Sequence, residues 1–413
     1  MATLSRRLTL PDAVLIGLGS MIGAGVFAVW APASAAAGEW LLVSLGLAAV
    51  VAFCNATSSA QLAASYPSSG GTYLYGREVL GEWWGFLAGW GFVIGKIASC
   101  AAMALTIAAY LLPPGFGQRL FAAAVVAVVT GVNLRGITRT ALATRLIVGV
   151  VLVVLAALIV GNLVAPGSPG EAAAAGPYGV LQGAGLLFFA FAGYARIATL
   201  GEEVVDPRRT IPRAILLALA ITTAVYLLVA LGVTRVLDPA GLASSRAPLA
   251  DAAAISLPAL APLVAGTAAL AATGALLALI AGVGRTMLAM ARHHDLPSGL
   301  AAVHDRFQVP HRAELVAAVV VIVLVLLLDL RGAIGFSSFG VLLYYFVANL
   351  AAYRQSDGRL YPRSLQALGM ALCALLVVTL PWPAVAAGVA MFLVGVGYRF
   401  IRLRGRVVSA PRR

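Results

Sequence analysis

Lysine is almost absent from this chain. Of its 28 basic residues one is a lysine, Lys96, and every other is an arginine. Charge of either sign is scarce: 10% of the residues are charged and 62% are hydrophobic. A soluble domain carries roughly a quarter of its residues as charges. That scarcity excludes a water-soluble enzyme or binding module, and a mean hydropathy of +0.98 points to a multi-span membrane protein. Cysteine is rare too. The three present, Cys54, Cys100 and Cys373, sit in apolar stretches without metal-ligand spacing, so neither a disulfide framework nor a metal centre is expected. Histidine occurs only as His293, His294, His304 and His311, between two apolar runs. The opening MATLSRRLTLPD is basic but is not followed by a cleavage site and a soluble domain, so no signal peptide is expected.

A membrane span needs about 20 predominantly apolar residues. Twelve such spans are expected, at 12–37, 41–65, 82–112, 119–134, 144–165, 178–202, 212–236, 250–290, 312–330, 333–353, 364–380 and 382–400. The breaks between them carry turn and charge signals, such as YPSSGG at 66–71, APGSPG at 165–170 and EEVVDPRRTIPR at 202–213. The net charge of +13 does not call for nucleic acid, because arginine marks cytoplasmic loops in membrane proteins. If the N-terminus is inside, the inner loops hold Arg6, Arg7, Arg77, Arg135, Arg139, Arg145, Arg208, Arg209, Arg213, Arg285, Arg292, Arg306, Arg312, Arg354, Arg359, Arg363 and the arginines from Arg399 on. The outer loops keep Arg119, Arg235, Arg246 and Arg331. Both termini are therefore expected on the cytoplasmic side of the cell membrane.

Two spans differ from the rest. The first contains GLGSMIGAGVF, with Gly17, Gly19, Gly23 and Gly25 in a short window around Ser20. Glycine costs a helix interior about 1 kcal/mol relative to alanine. Such a cluster suggests an unwound stretch, and unwound backbone in lipid is tolerated where it is buried in protein or lines a cavity. A close helix crossing is the plainer alternative. The sixth span has a weaker interruption at Gly193, followed by Tyr194 and Arg196. If spans 1–5 and 6–10 are two halves, the interruptions correspond. That is the pattern of an inverted-repeat transporter with a midplane site.

Four motifs in this order resemble the amino acid–polyamine–organocation permeases. They are GSMIGAGVF (19–27), YPSSGGTYLYGREVLG (66–81), FFAFAGYARIATLGEEVVDPRRTIPRAI (188–215) and RTMLAMARHHDLPSGLAAVHDRFQVP (285–310). The resemblance implies an all-α integral membrane protein of about twelve helices. It implies a LeuT-type five-plus-five inverted repeat, over about 12–165 and 178–353, with two extra C-terminal helices over about 364–400. The whole chain, 1–413, would be one transporter domain. Its implied activity is secondary transport of amino acids, driven by protons or by exchange, with no cofactor. An amine or polyamine exchanger of the same fold is the alternative.

Carried over residue by residue, the resemblance gives two backbone patches. Ser20, Met21, Ile22, Gly23, Ala24 and Gly25 would hold the substrate carboxylate. Phe191, Ala192, Gly193 and Tyr194 would hold the amino group and cover the side chain. Glu202 and Glu203 match the family's acidic pair at the cytoplasmic end of span six, either as a gate or as a surface cluster facing Arg208, Arg209 or Arg213. Two departures stand out. Where many members carry an acid after the aromatic residue of span six, this chain has Ala195, which disfavours a cationic substrate. Span five has no lysine, where some proton-coupled members place one.

That leaves the intramembrane cations. Lys96 lies roughly 20 Å along the helix from either end of span three, too far for its stem to reach water. A charge there costs at least about 2.5 kcal/mol unless it faces a cavity or a partner. It could contact an anionic part of the substrate, carry a proton through the transport cycle, or bond carbonyls of a broken helix. Arg196 could cap the break in span six, pair with Glu202, or face the substrate. No acid within the spans is evident as a balance for either cation. With apolar walls from Met21, Ile22, Phe189 and Phe191, a neutral amino acid is the expected substrate and an acidic one comes second. The remaining partners are a proton and the bilayer. A membrane enzyme built on the histidines is disfavoured, because zinc wants three or four convergent ligands and this loop matches an ordinary family motif. A channel is disfavoured by the asymmetric broken spans.

Overall fold

The computed structural model describes residues 7–67, 70–136, 141–168 and 175–409. Arg6, Arg139, Arg412 and Arg413 of the charge count lie outside them. In lipid each backbone N–H and C=O must be satisfied within the chain, so apolar runs become helices. In chain order these are α1 (Leu10–Met21), α2 (Gly25–Ala28), α3 (Trp30–Ala37), α4 (Leu41–Ser65), α5 (Gly71–Leu80), α6 (Glu82–Leu111), α7 (Phe116–Leu134), α8 (Ala141–Val164) and α9 (Pro177–Phe191). They continue as α10 (Ala195–Ala198), α11 (Pro207–Val236), α12 (Pro239–Ser244), α13 (Pro248–Ser256), α14 (Ala261–Arg292), α15 (His311–Leu327), α16 (Leu330–Arg354), α17 (Arg363–Thr379) and α18 (Trp382–Ser409). Among the described residues 10 helical stretches are long and apolar enough to cross a membrane, and Arg363–Thr379 is a shorter apolar helix. This is an all-α, multi-pass membrane architecture.

Local chemistry sets the ends. Thr9 and Asp12 form a capping box on α1, with the Thr9 amide donating to Asp12 Oδ2 at 3.0 Å. Asp329 caps α16 by accepting from the Gly332 amide at 2.8 Å. One expected span divides. The stretch 250–290 is not a single helix: α13 ends at Ser256, and a short turn at Pro258–Leu260 precedes α14. Pro258 ends the first piece because it biases the residue before it away from helical geometry.

Burial sorts the helices. In α6, 89% of the apolar window is buried, and in α16 83%, against 22% in α18. The two central helices cross on small residues. An added Cβ at Gly95 would lie 3.0 Å from the Ser337 carbonyl oxygen, and one at Gly340 would lie 2.7 Å from that of Gly91. One helical turn from that contact, Ser99 Oγ and Ser337 Oγ are 2.7 Å apart. The glycines of GFVIGKIASC are thus crossing residues, and they bring Lys96 to the middle of the bundle. Exposed Val153, Val160, Val319 and Leu393 give the outer helices an apolar surface suited to lipid.

Arginines and acids gather at one end. Asp295, just beyond α14, accepts from Arg77 Nη1 at 2.9 Å and from the Tyr73 hydroxyl at 2.8 Å, and it also pairs with Arg399 of α18. Arg77 reaches Glu82 at 3.1 Å, and Arg399 lies over the Trp83 and Phe86 rings. Asp295 and Arg399 are each 4% exposed. This network fastens α5, α6 and α18 to the end of α14.

Candidate functional site

The glycine cluster of the first span divides into two kinds. Gly17 and Gly19 stay helical within α1. They are close-packing positions: a Cβ at Gly17 would meet Ile197 Cδ1 at 2.4 Å, and one at Gly19 would meet Val148 at 3.0 Å. The interruption is confined to Ile22, Gly23 and Ala24. The last bond before it runs from the Ile22 amide to the Leu18 carbonyl at 2.7 Å. A new helix opens at Gly25, and the first amides of any helix have no partner within it. In the sixth span the break is a 3-10 turn at Ala192–Tyr194, between α9 and α10.

The two interruptions meet backbone to backbone. A Cβ on Gly193 would lie 2.3 Å from the Ser20 carbonyl oxygen and 2.7 Å from the Met21 nitrogen. A Cβ on Gly25 would lie 2.7 Å from Ala190 Cα. Any larger residue at either position would force the crossing apart. Side chains from four other helices answer the freed carbonyls. Tyr226 of α11 donates to Met21 O at 2.6 Å and approaches Ala190 O at 3.1 Å, so one hydroxyl bridges both breaks. Tyr110 of α6 donates to Phe27 O at 3.0 Å, and Trp30 donates to Val26 O at 2.6 Å. Lys96 Nζ donates to Ala192 O at 3.2 Å, and Tyr345 of α16 lies 3.5 Å from the same oxygen.

The expected patches, Ser20 to Gly25 and Phe191 to Tyr194, are therefore one locus, and Lys96 touches it. Met21, Phe191 and Tyr194 are 0% exposed and Ala192 is 3% exposed, so the crossing is closed to solvent in this conformation. Tyr194 stacks obliquely on Tyr345 with centroids 5.2 Å apart. Two apolar clefts open elsewhere, one lined by Trp40, Pro177 and Leu181, the other by Val160, Gly161 and Leu257. Neither contains a residue of the interruptions.

The remaining expected residues lie beyond the crossing. Arg196 donates to Thr199 Oγ1 at 3.0 Å, within the turn that closes α10. Glu202 is exposed and Glu203 half-buried. The Glu203 carbonyl accepts from the Arg7 and Leu8 amides at 2.9 and 3.0 Å, which ties the N-terminal segment to the chain after span six. Arg209 pairs with Asp206 at 3.9 Å. A buried acid was not expected at Glu314 of α15, which is 2% exposed. It stands four residues after Pro310, in the first turn of α15. Tyr226 and Tyr345 were also not expected. Their signal is a phenol placed mid-span in an apolar run. Among the described residues no group of three or more His, Cys, Asp or Glu side chains could hold a metal ion.

Comparisons with known proteins bear on this geometry. A family model described as amino acid permease matches residues 12–409. A protein of Mycobacterium tuberculosis described as an uncharacterized transporter is 57% identical over 405 residues, covering 97% of this chain and 92% of that one. Human cationic amino acid transporter 4 is 32% identical over 377 residues, covering 84% of this chain and 59% of the human protein. The methylthioribose transporter of Bacillus subtilis is 28% identical over 375 residues, covering 85% of this chain and 79% of that one.

Proposed function

The chain belongs to the amino acid permease family, and from that premise we propose that it carries an amino acid across the cell membrane by alternating access. A neutral amino acid is the preferred substrate and an acidic one the second, with transport coupled to protons or running as exchange. The crossing of the two interrupted helices carries this reading, above all the contact of Gly193 with the Ser20–Met21 peptide. In such a crossing the free amides at the start of a half-helix suit a carboxylate. The carbonyls at the end of the other half suit an ammonium group. Ser20 to Gly25 take the first role, and Phe191 to Tyr194 the second. Lys96 contacts the substrate or the coupling proton, and its bond to Ala192 O anchors it beside both. Arg196, Glu202 and Glu203 serve the gate at the arginine-rich end.

The same reading takes twelve spans, two inverted repeats of five and both termini in the cytoplasm. The asymmetry of the arginines supports the orientation. The crossing supports the repeat, because the interruptions fall at matching places in the two halves.

A cationic substrate is the second reading, favoured by the name of the human relative. Two residues weigh against it. Ala195 stands where an acid would answer a cationic side chain, and Lys96 already supplies a positive charge at the crossing. Uptake of a labelled amino acid panel into proteoliposomes separates the readings. Neutral amino acids competing best support the first, and arginine or lysine competing best would replace it with the second.

A further inference from the structure

The histidine-bearing loop and the start of α15 have no part in the reading above, yet they hold titratable groups without partners. Glu314 is 2% exposed, and its Oε2 has no hydrogen-bond partner. Its Cγ packs on α14 so closely that a Cβ on Gly284 would lie 2.6 Å away. His311 is three residues earlier on the same helix face, and its Nδ1 is likewise buried and unpartnered. The His311 ring meets that of His304 edge-on, with centroids 5.5 Å apart. His304 Nδ1 accepts from the Arg306 amide at 3.2 Å, which leaves Nε2 to exchange protons with the loop surface.

We propose that Glu314 is a proton-binding site of the transport cycle, loaded from the arginine-rich end through His304 and His311. An ionised carboxylate with one oxygen buried and without a donor, as Oε2 is here, is costly to hold. The neutral acid fits this packing, and its added proton supplies a donor. When α15 separates from the Gly284 face, water reaches the carboxylate and the proton leaves. Protonation and helix position are then linked: a proton that binds one conformation better shifts the population toward it.

The surroundings favour such a switch. On α14 the charge acting on Glu314 is that of Arg285, which also acts on Arg196 beside the break in span six. Arg292, the other charged residue of α14, is exposed. The turn Ser298–Ala301 brings no titratable side chain. On α6, Glu82 is held by Arg77, Lys96 bonds Ala192, Tyr110 bonds Phe27, and Cys100 is a buried thiol. On α7, Arg119 bonds the Leu326 carbonyl at the far end of α15. His293, His294, Asp295, His304, Asp305 and Arg306 on the loop, with His311 and Arg312 on α15 itself, complete the set.

Two experiments test this, and only the second rests on the proposed transport activity. In the first, purified protein in liposomes is treated with a hydrophobic carbodiimide, which modifies protonated carboxyl groups in apolar surroundings, and the sites are mapped by mass spectrometry. Glu314 should be modified near neutral pH, and above its midpoint the yield should fall about tenfold per pH unit. Absence of modification at every pH would overturn the proposal, whatever the substrate is. In the second, Glu314→Gln should exchange labelled for unlabelled substrate at the wild-type rate. It should lose accumulation driven by a pH gradient, while Glu314→Asp keeps it. If Glu314→Gln accumulates substrate with the wild-type pH dependence, the site does not couple. If the wild type takes up no amino acid, the failure belongs to the proposed function, and the labelling result still decides the proton site.

Discussion

The molecule buries cations in two places and treats them differently. At the arginine-rich end, Arg77 and Arg399 share the carboxylate of Asp295, with Tyr73 donating to it and Glu82 close by. At the crossing, Lys96 has, among the described residues, one backbone carbonyl and no acid. The first arrangement resembles a fastening: every charge has a partner, and four helices meet there. The second leaves most of the ammonium's hydrogen-bonding capacity unused, since a lysine offers three donors. A group held so loosely is free to take another partner during a cycle. The difference separates charges that keep the shape from a charge available for work.

The comparison breaks most sharply through opposite phenotypes. Lys96→Met should bring uptake to background while the protein remains folded, because replacing a poorly compensated charge by an apolar side chain of similar size is neutral or stabilising. Uptake and thermal unfolding measured on one preparation check it. Wild-type uptake would return Lys96 to the scaffold. Asp295→Ala should do the reverse and cost about 3–5 kcal/mol, because it leaves the buried Arg399 and the half-buried Arg77 with only the exposed Glu82 carboxylate to share. A thermal unfolding midpoint unchanged from wild type would deny the network its structural role.

Smaller effects sharpen the same contrast. Gly193→Ala should cost about 1–3 kcal/mol by overpacking, because its new methyl group meets backbone that cannot rotate away. Its uptake should fall further than its stability does. Tyr226→Phe removes the donor to the Met21 carbonyl and should cost about 1–3 kcal/mol, read as a lower unfolding midpoint. The fastening should also be insensitive to mild alkali. Burial, with the Asp295 charge beside it, pushes the Tyr73 hydroxyl above the ordinary tyrosine range. Its contribution is complete below that range and lost only as pH rises through the raised value, so stability from neutral to mildly alkaline pH should not change through this group.

The hydropathy pattern revealed the helices because lipid leaves an apolar run few alternatives. It ran 250–290 together because apolar composition continues across the turn at Pro258. The interruptions were visible as glycines, but glycine serves both unwinding and close packing. Gly17 and Gly19 turned out to pack, and only the partner atoms of Ile197 and Val148 reveal it. Lys96 was conspicuous by its rarity, yet its partner lies 96 positions away. Tyr226 bridges backbone 205 and 36 positions away, which no local pattern encodes. Glu314 stands in the first turn of α15, and sequence cannot tell a residue at a helix start in water from one packed under its neighbour.

Uptake driven by a pH gradient tests the central claim most directly. Proteoliposomes containing wild-type protein or Lys96→Met receive labelled neutral amino acids, with and without a proton gradient and in the absence of sodium. The account predicts saturable accumulation by the wild type at carrier rates, and none by the variant. Equal accumulation by both, or uptake far above carrier rates, would contradict it.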